Sequence, residues 1–187
     1  MLGDPAIWAR IDQGKPTLAL LSSAKAPAGV LLAVHDLARQ WRQSGPIILS
    51  GFHAPVENEA LSVLLAGPQP VVLVLARGLY RRPPNELRPA PEAGRLLILS
   101  PFQENLRRAT AATATIRNRV VAALASDVLI AHAEPGSKAE ALAREALSWG
   151  KSIHTLDHPA NANLLEIGAY LYPAHPSAPA PVGLERL

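Results

Sequence analysis

The chain has 187 residues, a formal net charge of +3 and an apolar fraction of 49%. This length and composition fit one soluble globular domain with a full core, and they exclude a chain that is disordered throughout. None of the residues is cysteine, which excludes disulfides, thiolate catalysis and cysteine-ligated metals and is compatible with the reducing cytoplasm. This net charge is modest, whereas proteins dedicated to binding duplex nucleic acid usually have dense basic patches.

The first residues do not resemble a targeting segment. Asp4 and Asp12 interrupt the first fifteen residues, and no apolar run in the chain is long enough to span a bilayer. We therefore expect residues 1–16 to be an N-terminal extension of a cytoplasmic protein without a membrane partner.

Strand-like and helix-like patterns alternate from Thr17 onward. This alternation predicts an α/β fold: a Rossmann-like open, mostly parallel sheet with helices on both faces, formed by residues 17–172 as a single domain. The predicted elements are strands at 17–22, 47–50, 71–75, 96–99, 127–131 and 152–156, helices at 28–43, 55–66, 137–149 and 161–168, and an alanine-rich helix ending near residue 125. Residues 173–187 are rich in proline and alanine, which predicts an extended or disordered tail.

The most informative stretch is residues 116–140, which has the pattern of a basic helix, a buried strand and a tight turn that opens another helix. The strand at 128–131 is apolar at every position, as a parallel strand covered on both faces requires. The small residues of the following turn, Gly136 and Ser137, leave backbone N–H groups exposed at the positive end of a helix dipole. The stretch therefore predicts a phosphate site, with Arg117 and Arg119 as its balancing charges.

Four loops of small and polar residues follow predicted strands, at 22–25, 50–53, 100–102 and 135–138. The carboxyl ends of parallel strands share one edge of a sheet, where open α/β proteins bind ligands. Each loop taken singly is also compatible with an ordinary turn. The candidate ligand-binding residues are Ser23, Lys25, Gly51, Phe52, His53, Arg117, Asn118, Arg119, Gly136, Ser137 and Lys138. Phe52 and Phe102 are the aromatic residues available for base stacking.

Known phosphate-loop and hydrolase signatures are missing from the chain. It contains neither G-x-G-x-x-G after the first strand nor G-x-x-x-x-G-K-[ST], and no G-x-S-x-G. Ordinary NAD binding, P-loop ATP hydrolysis and serine-hydrolase chemistry are therefore disfavoured. His154 and His158 flank a strand end and need not share a face, so no metal site is predicted. No cofactor is predicted either.

Two further features allow more than one interpretation. A basic cluster in a proline-rich loop, comprising Arg77, Arg81, Arg82 and Arg88, fits a solvated face as well as a nucleic-acid contact. Glu140 lies one turn inside the helix that follows the Gly136 turn. Its carboxylate could hold a ribose hydroxyl or stabilise an oxocarbenium-like centre, although an acid in the first helical turn is favourable by itself.

Four segments resemble, in this order, the Rossmann-like core of the DNA-processing protein A family: SSAKAPAG, LSGFHAPVENEAL, IRNRVVAALASDVLIAHAEPGSKAEALAREALSWGKSIHTLD and NANLLEIGA. The resemblance covers residues 17–169 and is strongest from Arg117-Asn118-Arg119 onward, which matches the family's arginine-asparagine-arginine run. Residues 22–24 replace the family's glycine-serine-arginine, and residues 54–55 replace its arginine-glycine pair. The resemblance implies a divergent, stand-alone homodimer that binds single-stranded DNA or a nucleotide-like phosphate ligand.

A second resemblance concerns the turn at residues 135–140 alone. It is similar to the proline-glycine-glycine…threonine…glutamate motif of the lysine-decarboxylase-like nucleoside-monophosphate phosphoribohydrolases, with Ser137 in place of the second glycine. This similarity implies an alternative function, hydrolysis of a nucleotide N-glycosidic bond with Glu140 as the catalytic carboxylate. A third interpretation is a non-catalytic sensor or carrier of a nucleotide-derived cofactor. The sequence leaves open whether the protein is an enzyme.

Overall fold

A computed structural model describes residues 1–173 of the chain. The strands are β1 (Leu2–Gly3), β2 (Thr17–Ser22), β3 (Ile47–Ser50), β4 (Val71–Val74), β5 (Leu96–Leu99), β6 (Asp127–His132), β7 (Ser152–Thr155) and β8 (Tyr170–Leu171). The α-helices are α1 (Ala6–Asp12), α2 (Ala28–Trp41), α3 (Pro55–Leu64), α4 (Pro89–Glu92), α5 (Ala111–Leu124), α6 (Lys138–Ser148) and α7 (Ala162–Glu166). A short 3-10 helix spans Pro159–Asn161. The predicted tail lies, after Pro173, outside the described residues.

The strands of the described residues form one sheet in the order β1-β5-β4-β3-β2-β6-β7-β8. Every neighbouring pair is parallel except β1 and β5, which run antiparallel. The predicted Rossmann-like α/β fold is thus confirmed. The chain proceeds from β2 outward to β5 on one side and from β6 outward to β8 on the other. The topological switch point therefore lies between β2 and β6, where open α/β sheets form their ligand crevice.

Helices cover both faces of this sheet, which explains why its central strands are apolar throughout. Every residue of β3 and of β4 is buried. Side chains alternate between the faces along each strand: Leu18 and Leu20 of β2 join a core cluster with α2 and α3, while Ala19 and Leu21 join a second cluster with α5 and α6.

The segment before Thr17 is integrated into this domain. Leu2 and Gly3 pair with Ile98 and Leu97 at the edge of the sheet, and Ile7 of α1 is fully buried in the second core cluster. A two-residue strand has no measurable periodicity, so the sequence pattern did not predict β1. None of the helices within residues 1–173 has the length and apolarity that a bilayer crossing requires.

Candidate functional site

The loops after β2 and β6 meet at the switch point between these strands. Ser23 Oγ lies 3.5 Å from Ser137 Oγ, although the two residues are 114 positions apart in the chain. The backbone N–H of Ser23 donates to the carbonyl of His132 at 2.8 Å, and that of Glu134 donates to Ser23 Oγ at 3.4 Å. We call residues 22–25 and 134–138 the switch-point site. Two of the candidate loops are therefore brought together by the fold.

In the turn that opens α6, the free N–H groups are not the ones that the sequence led us to expect. Gly136 has a φ of 72°, and its N–H donates to Oε2 of Glu140 at 2.6 Å. The N–H of Ser137 donates to the carbonyl of Glu134 at 3.0 Å. The backbone groups of Gly136 and Ser137, which we expected to face a ligand, are thus already engaged. Lys138 and the residue after it are the first two of α6, so their N–H groups have no intrahelical acceptor and remain available.

Glu140 braces this turn through both of its carboxylate oxygens. Oε1 accepts from Nη2 of Arg144 at 2.7 Å, and Oε2 accepts from Nδ2 of Asn163 at 3.3 Å as well as from the Gly136 N–H. The hydrogen bonds from Arg144 and from the Gly136 backbone lower the pKa of the Glu140 carboxyl below its usual value. The side chain is buried, and its geometry is that of a helix cap that holds the loop.

Glu57 is a second buried carboxylate at this edge, and it was not among the candidate residues. It is 3% exposed. Oε1 accepts from the N–H of Ser22 at 3.0 Å, and Oε2 accepts from the N–H groups of His53 at 2.9 Å and Ala54 at 3.4 Å. Burial raises the pKa of Glu57, while these donors and the charge of Arg117 oppose that rise. One carboxylate therefore joins the loops after β2 and β3 and caps α3.

A sequence signal for this role was present. Pro55 stands at the first position of α3 and Glu57 at the third, which is the arrangement in which a glutamate reaches back to the N-terminal backbone of its own helix.

Arg117 points inward from α5 and is only 5% exposed. Its Nη1 donates to the carbonyl of Val74 at 3.3 Å, and its Nε donates to Oδ1 of Asn118 at 2.6 Å. A Cβ added to Gly51 would lie 1.3 Å from Nη1, so the guanidinium occupies the space that a side chain would take there. Burial lowers the pKa of Arg117, and the charge of Glu57 opposes this shift. Nη2 has no hydrogen-bond acceptor among residues 1–173.

Arg119 lies on the opposite side of α5 from this buried guanidinium. It is exposed and forms an ion pair with Glu145 of α6. Together with Asn118 and Lys138 it lines a groove of ≈ 380 Å³ between the two helices. The arginine-asparagine-arginine run therefore supplies one internal and one surface cation, and the two do not share a pocket.

The two residues after Gly51 have contrasting positions. Phe52 has a φ of 48°, unusual for a residue other than glycine, and its side chain is 5% exposed and packs in the core. It presents no face to a nucleobase, so a stacking role does not agree with its position. His53 is exposed.

Phe102, the other aromatic residue considered for base stacking, lies in the loop after β5. It is half-buried, and its N–H donates to Oγ of Ser100 at 3.0 Å.

A pocket of ≈ 410 Å³ lies beyond the ends of β3 and β4, beside the start of α5. We call it the β4 pocket. Arg77 and Tyr80 contribute to its wall, and the Arg77 guanidinium carbon lies 5.3 Å from the centre of the Tyr80 ring. The residues that line it are Gly51, His53, Val74, Leu75, Ala76, Arg77, Tyr80, Ala109, Thr110, Ala111, Ala114 and Arg117. Tyr80 was not among the candidate residues, because a single tyrosine in a loop carries no pattern.

The histidines of the described region do not form a metal site. His158 Nδ1 accepts from the N–H of Ala160 at 3.1 Å, whereas His154 Nε2 lies 3.7 Å from Asp127. No group of three metal-ligating His, Asp or Glu side chains occurs within residues 1–173.

The sheet order and the loops at its carboxyl edge define the chain as a Rossmann-like α/β protein. The family model of DNA recombination-mediator protein A matches residues 9–172, and the chain belongs to this family. No curated protein matches the sequence significantly.

Solved structures with the same fold include two of the family. DNA processing protein A of Helicobacter pylori, whose structure describes its single-stranded DNA binding mode, shares 23% identity with a TM-score of 0.72 over 90% of this chain and 78% of that one. The Streptococcus pneumoniae protein shares 18% identity with a TM-score of 0.70 over 84% of this chain. The present chain covers 58% of the length of that protein.

The molybdenum cofactor carrier protein of Chlamydomonas reinhardtii has a related fold. It shares 17% identity with a TM-score of 0.56 over 84% of this chain and 89% of its own length.

Proposed function

We propose that the protein binds single-stranded DNA, or a nucleotide-like phosphate ligand, along the carboxyl edge of its sheet. The observation that carries this proposal is the contact between the Ser23 and Ser137 loops at the switch point, where α/β proteins of this topology bind ligands. Membership of the recombination-mediator family supports a single-stranded DNA ligand, as does the DNA binding of the H. pylori relative.

Helix α2 and two lysines supply positive potential to the switch-point site, whereas the Glu140 carboxylate offsets the dipole of α6. The first turn of α2, which follows residues 22–25, contains no acidic residue. Lys25 and Lys138 are both exposed there. The free N–H groups at the start of α6 add hydrogen-bond donors, so that the α2 dipole and the two ammonium groups would neutralise a phosphate.

The two arginines of α5 would act differently from each other. Arg119 is available at the rim, because its exposed pair with Glu145 is worth little and exchanges readily for a phosphate. Arg117 offers only Nη2, from inside the edge of the sheet. Because Phe52 is buried and the proposed contacts are with phosphates, which carry no sequence information, we expect binding without sequence preference.

The alternative, hydrolysis of a nucleotide N-glycosidic bond, needs a Glu140 carboxylate that faces the ligand. Both oxygens of Glu140 instead bind Gly136, Arg144 and Asn163. The hydrolase would release free base from nucleoside monophosphates and lose that activity in Glu140→Gln.

The homodimer that the family resemblance implies is likewise a proposal, which sedimentation of the purified protein would test.

The test of DNA binding is a titration of fluorescent oligo-dT at several salt concentrations. Lys25→Ala combined with Lys138→Ala should weaken binding and reduce the dependence of the logarithm of the affinity on the logarithm of salt concentration, by about 0.7 for each phosphate that the variant no longer neutralises. The matched control, Arg10→Ala with Lys15→Ala, removes the same charge just before the amino end of β2 and should keep wild-type binding. Absence of binding at low salt, or equal losses in the two double variants, would refute the proposal.

A further inference from the structure

On the α2 side of the sheet, strands β7 and β8 have no covering helix within residues 1–173. Helices α6 and α7, which precede these two strands, both pack in the second core cluster on the opposite face. A groove of ≈ 350 Å³ lies here beside α2, and we call it the α2 groove. Leu37 and Leu156 give it an apolar lining, and Asp36, Asp157 and Tyr172 give it a polar one. This flank of the sheet is therefore open to a partner.

The α2 groove is acidic, although the chain as a whole has a net charge of +3. Asp36 and Asp157 are both exposed, and neither takes part in an ion pair within residues 1–173. None of the described residues that line the groove is lysine or arginine. Two unpaired carboxylates beside an apolar lining favour a partner that carries positive charge.

Tyr172 gives the groove an aromatic wall that is fixed in place. Its N–H donates to the carbonyl of Thr155 at 2.7 Å. Its ring meets the rings of Trp41 and His154 edge-on, at centroid distances of 5.8 and 5.7 Å. Tyr170, on the same face of β8, is 65% exposed. Aromatic rings bind guanidinium groups by stacking and also bind proline-rich segments. The groove therefore fits a segment that contains both arginine and proline.

The chain itself exposes such a segment at another place. Residues 81–84, in the loop between β4 and α4, have the sequence Arg-Arg-Pro-Pro. Arg81 and Arg82 are exposed and form no ion pair with any other described residue. A proline restricts the residue before it to extended conformations, and successive prolines favour the polyproline II helix. The two arginines thus belong to a stiff segment that loses little conformational entropy on binding.

The order of the sheet keeps this loop away from the α2 groove of its own chain. The loop follows β4 and the groove lies beside β7, and β3, β2 and β6 stand between these two strands. Four strand spacings, or about 19 Å, therefore separate them. Leu79, Tyr80 and Leu87 pack against the first core cluster and hold the loop at its own end of the sheet. Only another copy of the chain can bring this loop to the groove.

We propose that the α2 groove of one copy binds residues 81–84 of a second copy. In this contact the two arginines pair with Asp36 and Asp157, and the two prolines lie against Tyr172. The inference goes beyond the proposed function, because it concerns a contact between proteins in which no nucleic acid takes part.

The positions of the loop and the groove determine the kind of assembly. They lie towards opposite ends of the sheet, so each copy that binds leaves one loop and one groove unused. Such a heterologous contact does not close on itself and builds rows of copies. A four-residue segment in one groove buries less than the about 1,200 Å² of stable interfaces, so the association should be weak and dependent on concentration. It should weaken further at high salt, because its ion pairs are exposed.

Sedimentation velocity of the full chain, freed of nucleic acid and measured over a range of protein concentrations, tests this contact. At low salt the wild type should form species larger than a dimer as its concentration rises. The groove variant, Asp36→Asn with Asp157→Asn, and the loop variant, Arg81→Gln with Arg82→Gln, should each lower the association constant by about tenfold or more. All four positions are exposed, so both variants should fold as the wild type does.

A mixture of the two variants is the sharpest arm of the experiment. The groove variant keeps an intact loop, and the loop variant keeps an intact groove. Their equimolar mixture should therefore recover association that neither variant shows alone. Two control variants remove the same charges at exposed positions outside both surfaces and should associate as the wild type does. They are Asp12→Asn with Glu166→Gln, and Arg10→Gln with Lys15→Gln.

Four results would overturn the proposal. The wild type remains a monomer at every concentration, or it stops at a dimer that both variants retain, which places the interface elsewhere. The mixture sediments no faster than its two components. The groove variant changes the hydrogen exchange of α2 while its association stays that of the wild type. In this last case another occupant, such as residues 174–187 of the same chain, fills the groove in place of a second copy.

Discussion

The guanidinium of Arg117 occupies the volume in which a side chain at position 51 would lie. A Cβ built on Gly51 falls 1.3 Å from Nη1 and 1.8 Å from the central carbon of the guanidinium. Because Arg117 is held in place by Val74 and Asn118, it cannot move aside without losing those bonds. The glycine after β3 and the inward arginine of α5 are therefore one structural unit.

Gly51→Ala should accordingly destabilise the protein by about 1–3 kcal/mol, the usual cost of overpacking a buried site. Urea unfolding measures this loss. In an Arg117→Ala background the same substitution should cost much less, because the clashing group is absent. Gly29→Ala is the matched control, since its added Cβ meets only the tip of His158 at 3.3 Å. Equal costs of Gly51→Ala in both backgrounds would contradict the coupling.

Glu57→Gln should lower the free energy of unfolding by about 1–3 kcal/mol, although glutamine has nearly the same shape. Both carboxylate oxygens accept backbone N–H groups, from Ser22 on one side and from His53 on the other. An amide has only one acceptor oxygen, so its NH₂ group must face a donor. Chemical denaturation would show the loss, and Glu59→Gln, a half-exposed neighbour on α3, should show little change.

Glu140→Gln should reduce the pH dependence of stability. The pKa of Glu140 is lowered in the folded state from its usual 4.5, so the carboxylate contributes stability at pH values above 4.5 that is lost as the pH falls through the folded-state pKa. Wild type and variant should therefore differ most at neutral pH and converge in acid. Unfolding curves recorded across this range test the expectation, and a constant difference at all pH values would contradict it.

Asn161→Ala should destabilise the protein by about 1–3 kcal/mol through unsatisfied buried groups. The amide of Asn161 donates to the carbonyls of Ala131 and Leu156 at 2.9 and 3.2 Å, and its oxygen lies 2.9 Å from Nδ1 of His132. These bonds anchor the segment before α7 to the end of β6. The control is Asn163→Ala, because Asn163 is only half-buried. In thermal melts, Asn161→Ala should lower the melting temperature more than Asn163→Ala does.

Most of the fold was predictable because its signals are local. The apolar runs of β3, β4 and β6, and the helical spacing of apolar residues in α2, are sufficient to predict the class and the order of these elements. The short elements β1 and β8 were not predicted, since two residues that pair at the edge of a sheet have no period of their own.

The site was predictable only at the level of loops. That Ser23, Gly51 and Ser137 lie along one edge follows from parallel strand topology. The topology does not reveal which donors and acceptors in these loops remain free for a ligand, because hydrogen bonds between segments distant in the chain occupy some of them.

The sequence alone therefore determined the Rossmann-like class, the family resemblance and the sheet edge along which the candidate loops lie, since each depends on local pattern or on motif. Tertiary structure decided the rest. In the folded chain, the N–H of Gly136 binds Glu140 and the side chain of Phe52 is buried. Arg117 and Arg119 lie on different sides of α5, and Arg77 and Tyr80 lie beside the start of that helix. Desolvation and long-range hydrogen bonding set these outcomes, and both depend on neighbours that the order of residues in the chain does not reveal.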